Sequence, residues 1–279
     1  MTIQELLELG SKNLREAGQE EPKALAKRIL AFLLKKDVSY LAIHPEEIVE
    51  TKIETDFNEA IQKKQAGIPL QYITNMQEFM GTNFYVDENV LIPRPDTEVL
   101  VEEVIKLAKE KENIAILDMC TGSGAIAIAL AEYLTNAKIT ASDKSKKALV
   151  VAQKNAKNTK TSIQFIESDL FCNIKNKFDI IVSNPPYIES DVIKCLDKEV
   201  QKEPMMALDG GKDGLDFYRK IAKQARAYLN EDGYLALEIG YNQKEKVKEL
   251  LKKEGYREIY SKKDFGDNDR IVIGKKVGE

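Results

Sequence analysis

The chain has 279 residues, of which 43% are hydrophobic, and 42 Lys and Arg against 46 Asp and Glu give a formal net charge of −4. This size suits one large domain or two ordinary ones, and the acidic balance argues against broad binding to nucleic-acid phosphates. Three cysteines at unrelated spacings do not indicate a disulfide framework, and a single histidine, His44, provides no metal-binding cluster. The N-terminus does not resemble a signal peptide and no long apolar window occurs, which predicts a soluble cytoplasmic protein with no membrane or metal partner.

Residues 1–70 are predicted to form a small helical domain. Between Ile3 and Gln65, leucine and isoleucine recur at the spacings of helices that bury one face. Pro22 marks a helix start, and His44-Pro45 marks a break between helices. Up to Tyr72 the block holds 10 Lys and Arg against 12 Asp and Glu, a net charge of −2, so it carries no basic stripe.

Residues 71–93 differ from this block and are predicted to form a linking β-hairpin. Aromatic and β-branched residues are frequent here, and Gly81-Thr82-Asn83 is a turn signal.

From residue 94 to 279, predicted strands and helices alternate, which indicates an α/β fold with a doubly wound, mostly parallel sheet. The predicted strands are 114–118, 138–143, 163–167, 178–183, 234–239, 258–261 and 270–275. The predicted helices are 96–111, one beginning at 124, 145–157, 215–229 and 243–254. Only a loop separates the last two strands, so one of them is expected to be antiparallel.

A glycine-rich turn between the first of these strands and its helix is the first candidate site. It runs from Asp118 to Ala127, and Asp143 follows at the end of the next strand, placed to accept hydrogen bonds from ribose hydroxyls. Backbone N–H groups at such a turn favour an anionic ligand group. The pattern alone also fits a nicotinamide or flavin enzyme, or a tight turn with no ligand.

The second candidate site is Asn184-Pro185-Pro186-Tyr187, directly after the buried strand 178–183. Two prolines stiffen the loop and leave carbonyl acceptors beside the asparagine side chain. A rigid turn is the plain alternative. If the first strand lies beside the fourth, the two loops face each other at the carboxyl edge of the sheet, where ligands bind in such folds.

In this order, Asp-x-x-Thr-Gly-Ser-Gly, Asp143 and Asn-Pro-Pro-Tyr resemble the class I S-adenosylmethionine methyltransferases that methylate a planar exocyclic nitrogen. More narrowly, the chain resembles the release-factor glutamine methyltransferase family (HemK/PrmC), from the helical block to the C-terminus. The most specific segments are 67–73, 91–98, 182–188, 203–204, 207–211 and 237–240.

The resemblance implies a Rossmann-like methyltransferase domain at 94–279 and a helical substrate-recognition domain at 1–70. It also implies S-adenosyl-L-methionine as cofactor, class I peptide chain release factors as protein substrate, no direct nucleic-acid partner, and a monomer. The implied cofactor-binding residues are Cys120, Thr121, Gly122, Ser123, Gly124, Asp143, Asp169, Leu170 and Asn184. The implied substrate-binding residues are Asn184, Pro185, Pro186 and Tyr187.

The implied reaction methylates N5 of the glutamine in a Gly-Gly-Gln motif. An amide nitrogen is a poor nucleophile because its lone pair is delocalised into the carbonyl. If Asn184 Oδ1 and the Pro185 carbonyl accept its two N–H hydrogens, they raise its electron density and fix its direction, and Tyr187 can stack on the planar amide. We therefore predict Asn184, Pro185 and Tyr187 as the catalytic residues.

Three positions depart from the family pattern. Cys120 and Asn75 stand where the family usually has glycine, and Leu170 stands where relatives often have an aromatic residue. Asparagine tolerates a positive φ better than most residues, so Asn75 is expected to keep its turn.

Other readings stay open at this point. A DNA adenine-N6 methyltransferase shares Asn-Pro-Pro-Tyr, but it needs a basic cleft. A second alternative keeps the family but has a ribosomal-protein glutamine as the acceptor. A third, from a different class, is a binding module that holds the nucleoside without turnover.

Several other residues have weaker assignments. Asp96 and Thr97 are predicted to cap a helix, while Arg94 is a candidate for contact with a substrate or cofactor carboxylate. Segments 203–204 and 209–211 are predicted to form a loop over the site. Cys172 and Cys195 are expected to have no role in the site, and His44, next to Pro45 at a helix boundary, is expected to be structural.

Overall fold

The computed structural model describes residues 1–109, 111 and 113–278. These form two compact units, the first made of residues 1–76 and 197–202, and the second of residues 77–196 and 203–278.

The first unit is helical, as predicted. Its helices are α1 (Ile3–Glu16), α2 (Pro22–Leu34), α3 (Val38–Ile43), α4 (Thr51–Gln65) and α5 (Leu70–Thr74). Thr2 and Glu5 form a reciprocal capping box at the start of α1, which satisfies two backbone donors. The apolar faces of these helices share one core, which includes Leu6, Ile29 and Phe57.

The predicted hairpin is shorter than residues 71–93. Its strands are β1 (Gln77–Phe79) and β2 (Thr82–Phe84), paired antiparallel. Ile73, expected in the hairpin, lies in α5 and packs against the helical core. Asn75 is the C-cap of helix α5, and its φ of 50° confirms that asparagine makes the left-handed turn expected there.

The second unit holds a seven-stranded sheet flanked by helices. The remaining strands are β3 (Ala115–Met119), β4 (Lys138–Asp143), β5 (Ile163–Glu167), β6 (Phe178–Ser183), β7 (Leu229–Glu238), β8 (Arg257–Lys263) and β9 (Asp269–Lys275). The remaining helices are α6 (Glu98–Ala108), α7 (Ala125–Tyr133), α8 (Lys146–Thr159), α9 (Met205–Leu208), α10 (Asp216–Tyr228) and α11 (Lys244–Lys253). A 3-10 turn at Pro95–Thr97 precedes α6.

The strand order is β5-β4-β3-β6-β7-β9-β8. Strand β9 pairs antiparallel with both neighbours, and the pairs from β5 through β7 are parallel, which confirms the predicted mixed sheet. Strand β3 lies beside β6, as the site prediction required. The order reverses between these strands, so their carboxyl ends open the crevice in which such folds bind ligands.

Both faces of the sheet are buried, which explains the nearly continuous apolar strand sequences. Ile116 and Ile180 point into a core on one face, while Leu117 and Ile181 point into a second core on the other. In the part of the chain that is described, no helix combines the length and apolar character needed to cross a membrane.

Candidate active site

Asp118 anchors the glycine-rich loop that follows β3. Its Oδ2 accepts hydrogen bonds from the Thr121 hydroxyl at 2.5 Å and from the Ala127 backbone N–H at 3.1 Å. Burial raises the pKa of Asp118 to about 7, although these two hydrogen bonds oppose the rise. The carboxylate therefore ties the loop to the first turn of α7.

The loop turns through alternate residues with positive φ: 62° at Cys120, 54° at Gly122 and 83° at Gly124. Cys120 thus adopts the backbone conformation that the glycine usual in the family would adopt most easily. Burial also raises the pKa of the Cys120 thiol. The thiol stays protonated at neutral pH and is not an activated nucleophile.

We expect the free energy of unfolding to be about 1 kcal/mol higher for Cys120→Gly than for Cys120→Ala, because glycine adopts the positive φ of this position without strain. Urea titration of both variants measures this difference. Cys172 is exposed and has a negative φ, so the same pair of substitutions there should reverse the order. Equal stabilities of the two Cys120 variants would contradict the strained geometry.

Asp143, at the end of β4, joins the loop to α8. Its Oδ2 accepts from the Gly122 N–H at 2.9 Å, and its Oδ1 accepts from the Ser145 N–H at 2.7 Å. Each carboxylate oxygen has a further lone pair, so Asp143 can still accept from a ligand hydroxyl. Burial raises the pKa of Asp143, against these backbone hydrogen bonds.

The Asn-Pro-Pro-Tyr loop is fixed to its surroundings at both ends. Ser183, just before it, donates to the Met119 carbonyl at 2.6 Å, and Asn184 Nδ2 donates to Thr97 Oγ1 at 3.3 Å. At the other end the Tyr187 hydroxyl donates to Glu238 Oε1 at 3.3 Å, and Gln243 Nε2 donates to the Tyr187 carbonyl at 2.9 Å. Burial raises the pKa of Tyr187, so the phenol stays neutral.

The segment around Gly210 supports this loop from behind. The Ile188 N–H donates to the Leu208 carbonyl at 3.0 Å, and the Gly210 N–H donates to the Ile188 carbonyl at 2.8 Å. A Cβ at Gly210 would lie 2.7 Å from Tyr187 Cα, which explains the glycine. Asp209 faces the cavity described next, so part of the predicted loop borders the site while Gly210 supports it.

Glu203 contacts the segment that precedes α6 through both of its carboxylate oxygens. It is buried, forms an ion pair with Arg94, and accepts from the Ile92 N–H at 2.9 Å. It thereby fixes the segment that leads into α6, and Pro204 just after it lines the cavity.

A cavity of about 450 Å³ opens at the carboxyl ends of β3, β4 and β6. It brings together these predicted site residues: Cys120, Gly122, Asp143, Asp169, Leu170, Asn184 and Pro186. An adjoining cavity of about 50 Å³ is lined by Thr121, Ser123 and Arg94, and shares Asn184 with the larger one. Gly124 caps α7. Pro185 and Tyr187 are not among the described residues that line either cavity, so their contacts with substrate stay predictions.

Thr97 lies at the N-cap position of α6, as predicted, whereas Asp96 lies in the 3-10 turn before it. Neither α6 nor the 3-10 turn before it has a side-chain cap. Thr97 accepts from Asn184 instead, and Asp96 lies 3.2 Å from Arg270. The Thr97 and Asp96 side chains therefore contact residues that are distant in sequence and do not make a local capping hydrogen bond.

Glu238 and Gln243 are supporting residues that the sequence reading did not assign. Glu238 is an acidic residue directly after the apolar segment 234–237 of β7, and such a break in pattern is a usable signal. Nothing in the local sequence around Gln243 points to its contact with Tyr187.

Two family models and several full-length relatives match this chain. The family model described as "Methyltransferase small domain" matches residues 95–203, and "PrmC N-terminal domain" matches residues 5–74. A release factor glutamine methyltransferase of Clostridium acetobutylicum is 37% identical, covering 100% of both chains. One from Buchnera aphidicola is 42% identical, covering 92% of this chain and 93% of its own.

A solved structure, the Thermus thermophilus 16S rRNA N2 G1207 methyltransferase with AdoMet and guanosine, matches with a TM-score of 0.53 and 18% identity. The match covers 72% of this chain and 49% of that chain, and at this identity it supports the fold alone. The full-length relatives go further, because they span both the helical unit and the sheet. This chain belongs to the family of release factor glutamine methyltransferases.

Proposed function

We propose that this chain transfers a methyl group from S-adenosyl-L-methionine to the side-chain amide nitrogen, N5, of the glutamine in the Gly-Gly-Gln motif of class I peptide chain release factors. The observation that carries this proposal is the position of Asn184. Its Nδ2 is held by Thr97, and the residue lines the cavity beside the glycine-rich loop. No described residue donates to its Oδ1, which is the acceptor that a substrate amide needs.

The cavity has the chemistry to hold the cofactor. Asp143 can accept from hydroxyl groups, and Leu91, Ala148, Leu170 and Phe217 provide apolar surface for a flat ring. Three aspartates against one lysine line the cavity, which favours a positively charged ligand.

When bound, S-adenosylmethionine would supply an electrophilic methyl group on a positive sulfur. Asn184 Oδ1 and the Pro185 carbonyl would accept the two N–H hydrogens of the glutamine amide, which orients the nitrogen and increases its electron density. Tyr187 would border the planar amide. This assignment requires no cysteine nucleophile or histidine base.

Residues 1–70 would recognise the protein substrate, residues 71–93 would link, and residues 94–279 would carry the transfer, with the protein acting as a cytoplasmic monomer. The match of the first unit to the PrmC N-terminal domain supports this division. The acidic cavity lining and the net charge of −4 count against DNA as substrate.

The test incubates the full chain with methyl-labelled S-adenosylmethionine and, separately, a class I release factor, ribosomal proteins and duplex DNA. We expect label on the release factor, located by peptide mass spectrometry on the Gly-Gly-Gln glutamine. The control is a release factor with that glutamine changed to glutamate, which should take up no label. Label that persists in the control, or that appears on DNA or a ribosomal protein instead, would overturn the assignment.

A further inference from the structure

Asn155 is a buried asparagine in the second half of α8, and its side chain hydrogen-bonds two other segments of the second unit. The residue is 1% exposed. Its Oδ1 accepts from the Tyr85 backbone N–H at 2.8 Å, and its Nδ2 donates to the Tyr85 carbonyl at 2.9 Å. Nδ2 also donates to the Ser123 carbonyl at 2.9 Å. One side chain therefore joins the glycine-rich loop to the segment that follows β2.

The partners of the Asn155 amide fix its orientation. An asparagine amide has two N–H hydrogens, and both are directed here at backbone carbonyls, while its oxygen faces a backbone N–H. A turned amide would place its oxygen against the two carbonyls, and an aspartate would do the same. The neighbouring buried residues of α8 are apolar, namely Val151, Ala152 and Ala156, so a polar side chain at this position needs partners of its own.

The glycine-rich loop lies against α8 at a second point, one turn before Asn155. A Cβ at Gly124 would lie 3.1 Å from Ala152 Cβ and 3.3 Å from Ala152 Cα, so the glycine permits this close approach. The peptide between Ser123 and Gly124 is held from both sides. Its carbonyl accepts from Asn155, and its N–H donates to the Thr121 carbonyl at 2.9 Å. Asn155 thus fixes one of the peptides that shape the loop.

The Tyr85 segment leads to a different wall of the larger cavity. Only three residues separate Tyr85 from residues 89–91, which line that cavity of about 450 Å³. Lys154, next to Asn155 on α8, makes a second contact with Tyr85, because its Nζ lies 3.0 Å from the centre of the tyrosine ring. Two consecutive residues of α8 therefore hold Tyr85, one through its backbone and one through its ring.

We propose that Asn155 is a positioning residue for the cofactor, because it ties the glycine-rich loop and residues 89–91 together as two walls of one cavity. Asn155 is not among the described residues that line this cavity, so it acts through Ser123 and Tyr85. The inference rests on the proposed function for the identity of the ligand, S-adenosyl-L-methionine. Without the amide, the free protein would hold the loop in its binding shape for a smaller fraction of the time, which lowers the affinity in proportion.

The experiment compares Asn155→Asp with Asn158→Asp, the same substitution at an exposed position of the same helix. Calorimetric titration with S-adenosyl-L-methionine should give a Kd about tenfold higher for Asn155→Asp and a wild-type Kd for Asn158→Asp. In the protein without ligand, hydrogen–deuterium exchange of the peptide that contains Ser123 should be faster for Asn155→Asp and unchanged for Asn158→Asp. Kinetics with the release factor should show a raised KM for the cofactor and a kcat within about twofold of wild type.

Val272→Ala separates positioning from a general loss of stability. Val272 is fully buried on β9 in the second core, so its truncation should lower the midpoint of urea unfolding and leave the Kd for the cofactor unchanged. Two results would overturn the inference: a wild-type Kd and exchange rate for Asn155→Asp, or an equal rise in Kd for Val272→Ala. If Asn155→Asp fails to fold, Asn155→Ser removes the amide without adding a charge and is measured in the same way. Wild-type protein that binds the cofactor but transfers no methyl group to the release factor would instead refute the proposed function.

Discussion

Replacing Asn184 with alanine is expected to lower kcat for methyl transfer by about 10²–10³-fold, because the preorganised acceptor for the substrate amide is lost. Cofactor affinity should change by less than about threefold, under 1 kcal/mol, because Asp143 and the glycine-rich loop stay in place. Single-turnover kinetics with the release factor measure the first quantity, and calorimetric titration with S-adenosylmethionine measures the second.

Asn158→Ala is the matched control, since Asn158 is an exposed asparagine on α8. Its kcat should equal that of wild type. If Asn184→Ala keeps turnover, Asn184 is not catalytic. If it loses cofactor affinity as strongly as kcat, Asn184 serves the cofactor rather than the acceptor, and the proposed role is wrong.

Gly210→Ala is expected to lower kcat by about 10²-fold, since a displacement of the catalytic loop by about 1 Å has an effect of that size. The new Cβ would lie 2.7 Å from Tyr187 Cα, 2.8 Å from Tyr187 C and 2.9 Å from the Pro186 oxygen. All three are backbone atoms, which cannot rotate away as a side chain can. The loop itself must shift, and we expect the free energy of unfolding to fall by about 1–3 kcal/mol.

Gly10→Ala separates the loop effect from the stability effect. Its Cβ would lie 2.6 Å from Phe57 Cζ, a side-chain atom in the buried core of the helical unit. We expect a loss of stability in urea titration but an unchanged kcat at saturating substrate. An equal loss of kcat in both variants would mean that Gly210 acts only through stability.

Most elements of the second unit could be predicted from the sequence because their signals are local. The strands at Lys138–Asp143, Ile163–Glu167 and Phe178–Ser183 have the predicted bounds, since each is a short apolar or β-branched segment bounded by polar residues. Strand β7 begins at Leu229 rather than 234, because Leu229 pairs with Phe178 ahead of a register shift in the pairing with β6. The polar residues at 230–232 show no apolar pattern that would predict a strand there.

In the first unit, the long helices were predicted correctly and the short helix α5 was not, because a helix must span several turns before its apolar period can be recognised. Leucine spacing identified the long helices, whose buried faces repeat over several turns. The short helix α5 has too few residues to show a period, and its aromatic and β-branched residues favoured a strand. Packing of Leu70 and Ile73 against the helical core outweighs that preference.

The sequence by itself identified the two candidate loops, because each lies directly after an apolar strand and carries its polar groups in consecutive residues. It also determined the acidic, histidine-poor character that fits a reaction without a histidine base. Only the tertiary structure decided how Asn184 is held. Asn184 and Thr97 are 87 residues apart, and the Tyr187 and Glu238 side chains are 51 apart. Such contacts depend on which strands become neighbours in the sheet, and no local pattern of residues records that.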